Sequence, residues 1–287
     1  METHKPVFII GSFRGGTSLL FRLLSESNEF WSLYRESNFM WQSWHRDTRE
    51  SADTLYLNEN DFKESDRNYF DNHYHFSSYD NYFLGFLGRV KFLRHKLKYL
   101  FNLINTFNYI YKFIKLKLKN QQSYRFIDKT PPNSFRIQFL AKLYPDAKFI
   151  YLKRSAEANI NSLMKAWNAP RRFQFKFREY LNERMGGGPK IKGYSGKVWK
   201  FAMPEGFKEF WRGHDLKEIC EFQYHKTHEA INSSLKEIND DKYIEISFED
   251  FLTNPDNKME ELCDFIDISY SKQMRKLVKE MPRVNSD

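Results

Sequence analysis

A short apolar run that breaks into a glycine loop and then into a helix constrains this chain more than any other feature. Val7-Phe8-Ile9-Ile10 is apolar and rich in β-branched residues, Gly11-Ser12-Phe13-Arg14-Gly15-Gly16-Thr17-Ser18 follows, and Leu19, Leu20, Leu23 and Leu24 then recur at helical spacing. Strand, loop and helix in this order bring backbone N–H groups and the positive end of a helix dipole to one point, where a phosphate can bind. Taken alone, such a loop is as readily a plain tight turn. Against the G-x-x-x-x-G-K-[ST] loop of nucleotide triphosphatases, Gly11 and Gly16 have the required spacing, but Thr17 stands in place of the lysine. That lysine spans the β- and γ-phosphates, so its loss argues against ATP chemistry. The cation sits inside the loop instead, as Arg14, which suits a nucleotide whose terminal group lies one unit beyond a single 5′-phosphate.

Two later segments repeat the strand-to-helix pattern. Lys148 to Leu152 reads as a strand that turns through Lys153-Arg154-Ser155 into a helix carrying Ile160, Leu163, Met164 and Trp167. Tyr243 to Phe248 reads as another, leading through Glu249-Asp250-Phe251-Leu252 to a closing helix. Strands separated by helices predict an α/β domain with a parallel sheet covered on both faces, because parallel neighbours need long crossovers. Arg154 then ends a parallel strand, where ligands of open α/β sheets bind, and Ser162 lies two turns along the following helix. The inserts are of three kinds. Residues 45–80 show no clear period and are expected to be irregular, with His73 and His75 solvated. Residues 185–213, rich in Gly and Pro, read as a long lid or binding loop. Leu93, Leu97, Leu100, Ile104, Phe107, Tyr111, Ile114 and Leu118 predict an amphipathic helix within a basic insertion at about 83–120.

The charge is concentrated in that insertion. Lys and Arg total 46 against 37 Asp and Glu, yet no acidic residue falls between Asp80 and Asp128, so the rest of the chain is close to neutral. The length of 287 residues with 18% aromatics supports a sizeable core, which excludes a disordered chain or a disulfide miniprotein. Two cysteines, Cys220 and Cys263, favour a reducing compartment. With no apolar stretch of about 18 residues and no leader pattern at Met1 to Pro6, the chain is expected to be cytoplasmic, and at most peripheral at a membrane.

Gly-Ser-Phe-Arg-Gly-Gly-Thr-Ser after an apolar strand resembles the 5′-phosphosulfate loop of sulfotransferases that use 3′-phosphoadenosine 5′-phosphosulfate (PAPS). Arg154 with Ser162 is similar to that family's 3′-phosphate signature. Asp128-Lys129-Thr130-Pro131-Pro132-Asn133 and Ser247-Phe248-Glu249-Asp250-Phe251 agree with it in order, closest to the bacterial-type, Lys-Thr-Pro branch. The resemblance covers residues 5 to about 270 and implies a single P-loop three-layer domain over 1–287 that moves a sulfuryl group from PAPS to a hydroxyl or amine, with no metal. It implies that Arg14, Gly15, Gly16, Thr17 and Ser18 hold the 5′ side, Arg154 and Ser162 the 3′-phosphate, and Phe248 a place beside the nucleotide. The histidine that follows Lys-Thr in cytosolic eukaryotic members is here Pro131, so the base is expected to be Glu36, with His45 in reserve and Lys129 as a second cation on the sulfuryl group. Two departures stand out. Phe248 replaces a frequent Tyr, and the chain stops soon after Met281-Pro282-Arg283, where relatives carry a closing tail; either the loop at 186–206 covers the nucleotide or the chain is a piece of a longer one.

Two other readings stay open: a P-loop small-molecule kinase with Asp128 as a magnesium-binding carboxylate, and a basic binding protein for membrane or nucleic acid built on residues 83–125. Under the transferase reading the partner is a small-molecule, lipid or peptide acceptor, with peripheral membrane contact through the basic helix and no nucleic acid.

Overall fold

The computed structural model describes residues 2–32, 36–44, 55–74, 123–169, 191–196 and 199–281. The expected basic helix, His45, His75 and Arg283 lie outside the described residues. Six strands form one parallel sheet: β1 (Glu2–Thr3), β2 (Val7–Ile10), β3 (Phe30–Ser32), β4 (Ser123–Asp128), β5 (Lys148–Lys153) and β6 (Tyr243–Ser247). β1 and β2 both pair with β4, Glu2 with Ser123 and Val7 with Ile127, so they follow one edge of it with a one-residue slip. Lys5, at the slip, takes φ 40. β3 occupies the other edge of β4, and the spatial order is β3, β4, β2, β5, β6.

β2 and the interior of β5 read as unbroken apolar runs because both of their faces are covered. Alternate side chains enter two different cores. Phe8, Ile10, Phe149 and Tyr151 pack with α2 (Asn38–Ser43), α3 (Glu64–Tyr74), α4 (Ile137–Leu143) and, through Ile231 and Leu235, the long helix Leu216–Leu235. Val7, Ile9, Ile150, Leu152 and Ile246 pack on the opposite face with α1 (Thr17–Leu24) and with the C-terminal helices through Phe251, Met259, Leu262 and Met274. Further helices are α5 (Ala156–Asn168), α6 (Leu216–Leu235), α7 (Phe248–Thr253), α8 (Pro255–Phe265) and α9 (Lys272–Lys279), with a single short helical turn at Phe207–Phe210. Among the described residues no helix is long and apolar enough to cross a membrane.

Two expectations are corrected. The insert at 45–80 is not irregular throughout: α3 is an 11-residue helix burying Asp66, Phe70 and Tyr74. The apolar period was hidden because its first member is a carboxylate, which stays buried by accepting from the Trp44 indole at 3.0 Å and from the Lys63 N–H at 2.8 Å. His73 is not simply solvated, since its Nδ1 lies 2.7 Å from the Tyr69 carbonyl and its ring overlaps Tyr69 at 4.1 Å. The described part of the loop at 185–213 forms a third core in which Trp199, Phe201, Phe207 and Trp211 pack against Trp167 of α5 and Ile219 of α6. Lys200 is buried there, donating from Nζ to the carbonyls of Ala166 at 3.3 Å and Ala169 at 2.9 Å at the C-terminal end of α5, where the helix dipole favours a cation.

Candidate active site

Parallel strands release their following loops at one edge of a sheet, and here five neighbouring strands each deliver one polar or aromatic group there. In spatial order these are Glu36 after β3, Lys129 after β4, the glycine loop after β2, Arg154 after β5 and Phe248 after β6.

The glycine loop is held from several directions. Gly11 N–H donates to Ser134 Oγ at 3.0 Å, and that hydroxyl donates to the Gly11 carbonyl at 2.8 Å. Asn159 Nδ2 of α5 donates to Ser12 Oγ at 2.7 Å, and Gly15 N–H donates to the Ser12 carbonyl at 2.9 Å. Gly16 caps α1 at φ 92, a left-handed conformation that suits glycine. There is also no room for a side chain: a Cβ on Gly16 would lie 2.3 Å from the Phe248 ring. Thr17 is buried and Ser18 exposed on the first turn of α1, whose leading N–H groups lack partners within the helix. Arg14 takes φ 65, unusual for a residue with a side chain and characteristic of functional loops.

Arg154 reaches back over this loop. Its Nη1 donates to the Arg14 carbonyl at 3.1 Å, its guanidinium carbon lies 5.2 Å from the centre of the Phe248 ring, and Tyr224 donates to its carbonyl at 3.0 Å. Its Nε is buried with no hydrogen-bond partner among the described residues. Ser162 Oγ accepts from Arg14 Nε at 3.4 Å, which ties this serine to the loop arginine. The N–H of Ser155, at the start of α5, is already taken by Glu249 at 3.1 Å. A buried, unpartnered donor on a rigid guanidinium, a second arginine beside it and an aromatic wall form a donor set suited to a phosphorylated nucleotide.

Glu36 and Lys129 form the other end of the row. Lys129 Nζ lies 2.6 Å from Glu36 Oε1, with side chains 10% and 32% exposed. Asn38 Nδ2 donates to Glu36 Oε2 at 2.9 Å. Two of the roughly four lone-pair positions of the carboxylate are thereby used, and the others stay available. Beneath this pair lies Asp128, 2% exposed, whose carboxyl is pushed above the usual range by burial while hydrogen bonds from Ser37, Thr130, Tyr74 and Asn133 pull it back. Three of those donors lie on Oδ2 and one on Oδ1, and the carboxyl is buried beneath them, which argues against the magnesium role it had in the kinase reading.

The sequence reading missed Asn38, Ser134, Asn159 and Tyr224. Asn38 and Asn159 stand beside candidate residues without being singled out, and three of the four act on a group seventy or more positions away. Among the described residues no group of three or more His, Cys, Asp or Glu side chains is gathered to hold a metal ion.

The chain matches the sulfotransferase family over residues 6–186 and a sulfotransferase domain over residues 119–287. No curated protein matches it. Among solved structures, a sulfotransferase domain from the curacin biosynthetic pathway aligns with a TM-score of 0.50 at 13% identity, covering 96% of this chain and 77% of that one. A sulfotransferase from Alicyclobacillus acidocaldarius gives 0.44 at 15% identity, covering 96% and 90%. Retinol dehydratase in a complex with retinol and PAP gives 0.36 at 13%, covering 97% and 65%. The likeness to the first is one of fold.

Proposed function

From the premise that this chain belongs to the sulfotransferase family, we propose that it takes PAPS as donor and a hydroxyl-bearing small molecule, lipid or peptide as acceptor, with Glu36 as the base. When bound, PAPS supplies the sulfuryl group and departs as adenosine 3′,5′-bisphosphate (PAP). The N–H groups of Gly16, Thr17 and Ser18 at the head of α1 hold the 5′-phosphate, Gly15 shapes the turn through its N–H bond to the Ser12 carbonyl, and Arg14 is the neighbouring cation. Arg154 and Ser162 hold the 3′-phosphate, and Phe248 walls the nucleotide.

Glu36 accepts the acceptor's proton through a lone pair that neither Lys129 nor Asn38 uses. Lys129 keeps that carboxylate in place and offers positive charge toward the sulfuryl oxygens. The single observation that carries this assignment is the order along the sheet edge: base and lysine after β3 and β4, anion loop after β2, second arginine after β5. Donor and acceptor groups are thereby set side by side, as an in-line transfer requires.

The test is ligand-induced stabilisation followed by product analysis. PAP without metal should raise the unfolding temperature, and PAPS with a panel of alcohols, phenols, lipids and peptides should give a product heavier by one sulfuryl group. Stabilisation by ATP with Mg²⁺ and none by PAP would favour the kinase reading instead.

A further inference from the structure

We propose that Asp128 is a positioning residue for the transfer: it sets Glu36 and Lys129 in register through Ser37 and Thr130. This rests on the reading of Glu36 as the base. The geometry is a buried stitch placed one residue behind the reacting pair. Asp128 ends β4 and is followed directly by Lys129 and Thr130; Ser37 directly follows Glu36 at the start of α2. Ser37 Oγ donates to Asp128 Oδ2 at 2.7 Å, Thr130 Oγ1 donates to Oδ1 at 2.9 Å, and the Ser37 N–H donates to Thr130 Oγ1 at 2.7 Å. Tyr74 of α3 and Asn133 each donate to Oδ2 at 2.9 Å. Ser37 is 0% exposed and Thr130 0%. The two segments are more than ninety residues apart in the chain, and these bonds fix them below the point where Lys129 and Glu36 meet at 2.6 Å.

The arrangement exceeds what packing requires. A buried carboxyl is costly unless its oxygens are answered, and a structure needing only a filled space would use an apolar side chain. A carboxylate can accept four donors from four directions, which a hydroxyl or amide at this position cannot. Asp128 thus fixes the loop after β3, the turn after β4 and α3 to one point, while Glu36 and Lys129 stay on the open side. A base misplaced by about 1 Å loses on the order of 100-fold in rate, so register here bears directly on turnover.

The experiment compares wild type, Asp128→Ala, Ser37→Ala, Glu36→Gln and Ser37→Ala/Glu36→Gln. Turnover is read as PAP released from PAPS, with phenol as acceptor and with water alone. Affinity for PAP is measured in parallel. Ser37→Ala should lower kcat by about 10- to 100-fold, leave PAP affinity within about twofold because the loop and Arg154 sit on other strands, and add nothing to the loss in Glu36→Gln. Lys129 should also be acylated by an amine-reactive acetyl ester faster in Ser37→Ala than in wild type, a readout that needs no turnover. If Asp128→Ala fails to fold, Ser37→Ala alone decides, since it removes one of four bonds. Unchanged kcat in Ser37→Ala, or a loss that multiplies in full with that of Glu36→Gln, overturns the positioning role and leaves Glu36 as base. Full turnover in Glu36→Gln overturns the base assignment and the positioning role with it.

Discussion

Gly16→Ala tests whether the anion loop and the β6 end form one site. Gly16 carries φ 92, and an added Cβ would lie 2.3, 2.5 and 2.9 Å from three carbons of the Phe248 ring, against the 3.5–4.0 Å of an ordinary contact. Two costs follow. Holding alanine in the left-handed region costs about 1–2 kcal/mol, and pushing a ring out of a packed position costs about 1–3 kcal/mol. Phe248 is only partly buried, so it can swing outward, which places the sum at about 2–4 kcal/mol. At roughly 2–4 °C per kcal/mol for a chain of this size, the midpoint should fall by about 4–16 °C.

The two parts separate in a double-mutant cycle. Removing the ring with Phe248→Ala relieves the clash but not the backbone cost, so Gly16→Ala in that background should cost only about 1–2 kcal/mol. Thermal unfolding of the four proteins, with and without PAP, measures the coupling. PAP should stabilise Gly16→Ala less than wild type, because a displaced ring also leaves Arg154. A midpoint for Gly16→Ala within about 1 °C of wild type, or strictly additive losses, would refute the claim that the ring closes on the loop.

Three further outcomes are expected. Arg154→Ala should weaken PAP by about 2–3 kcal/mol while scarcely affecting adenosine 5′-phosphate, and equal losses in a titration of both would remove Arg154 from the 3′ side. Gln223→Leu should cost about 3 kcal/mol in urea unfolding, because it takes the side-chain partner from the Trp167 indole (3.0 Å) and the Lys200 carbonyl (2.7 Å) in a dry core, whereas the Ala202 carbonyl keeps the Trp199 indole at 2.9 Å; a loss below about 1 kcal/mol contradicts that reading. His228, hydrogen-bonded through Nδ1 with the Tyr151 hydroxyl, has its pKa lowered to about 4 by burial and then by the charges of Lys153 and His225. The unfolded chain therefore takes up this proton first, near pH 6.5. Stability from this group is present above that pH and is lost as pH falls toward 4, with a slope approaching 1.36 kcal/mol per pH unit. His228→Gln should lack that part of the slope in unfolding curves between pH 7 and 4, and an unchanged slope rejects the assignment.

What the chain discloses before folding is what repeats locally. Val7–Ile10 with the loop behind it, and Lys148–Lys153 with α5 behind it, are legible because a strand buried on both faces must be apolar throughout and the helix after it must change period. Partners across the sheet leave no such trace. Phe248 closes on Gly16 because β6 and β2 flank β5, and Lys129 meets Glu36 because β3 lies beside β4; both neighbourhoods are products of parallel topology. Buried polar residues are the hardest to read, since Asp66, Lys200 and Asp128 look like surface residues until their partners are known. Asp66 answers an indole, Lys200 a helix end, and Asp128 two hydroxyls, a phenol and an amide.

The same topology explains why the chemistry gathers where it does. Inside the sheet, side chains on adjacent strands are committed to one core or the other, and backbone groups to the ladder. Past the last ladder bond that commitment ends, so a residue there is free to carry charge at little cost to the fold. Glu36, Lys129, Arg14, Arg154 and Phe248 all lie within four residues of a strand end or in the loop that leaves it. Their mutual order is fixed by pairing registers that run entirely through apolar residues in β2 and almost entirely in β5. Substitutions at the edge should therefore alter binding or turnover more than stability, and substitutions in the stitch at Asp128 should alter both, because that carboxyl lies at the last ladder position and belongs to each side.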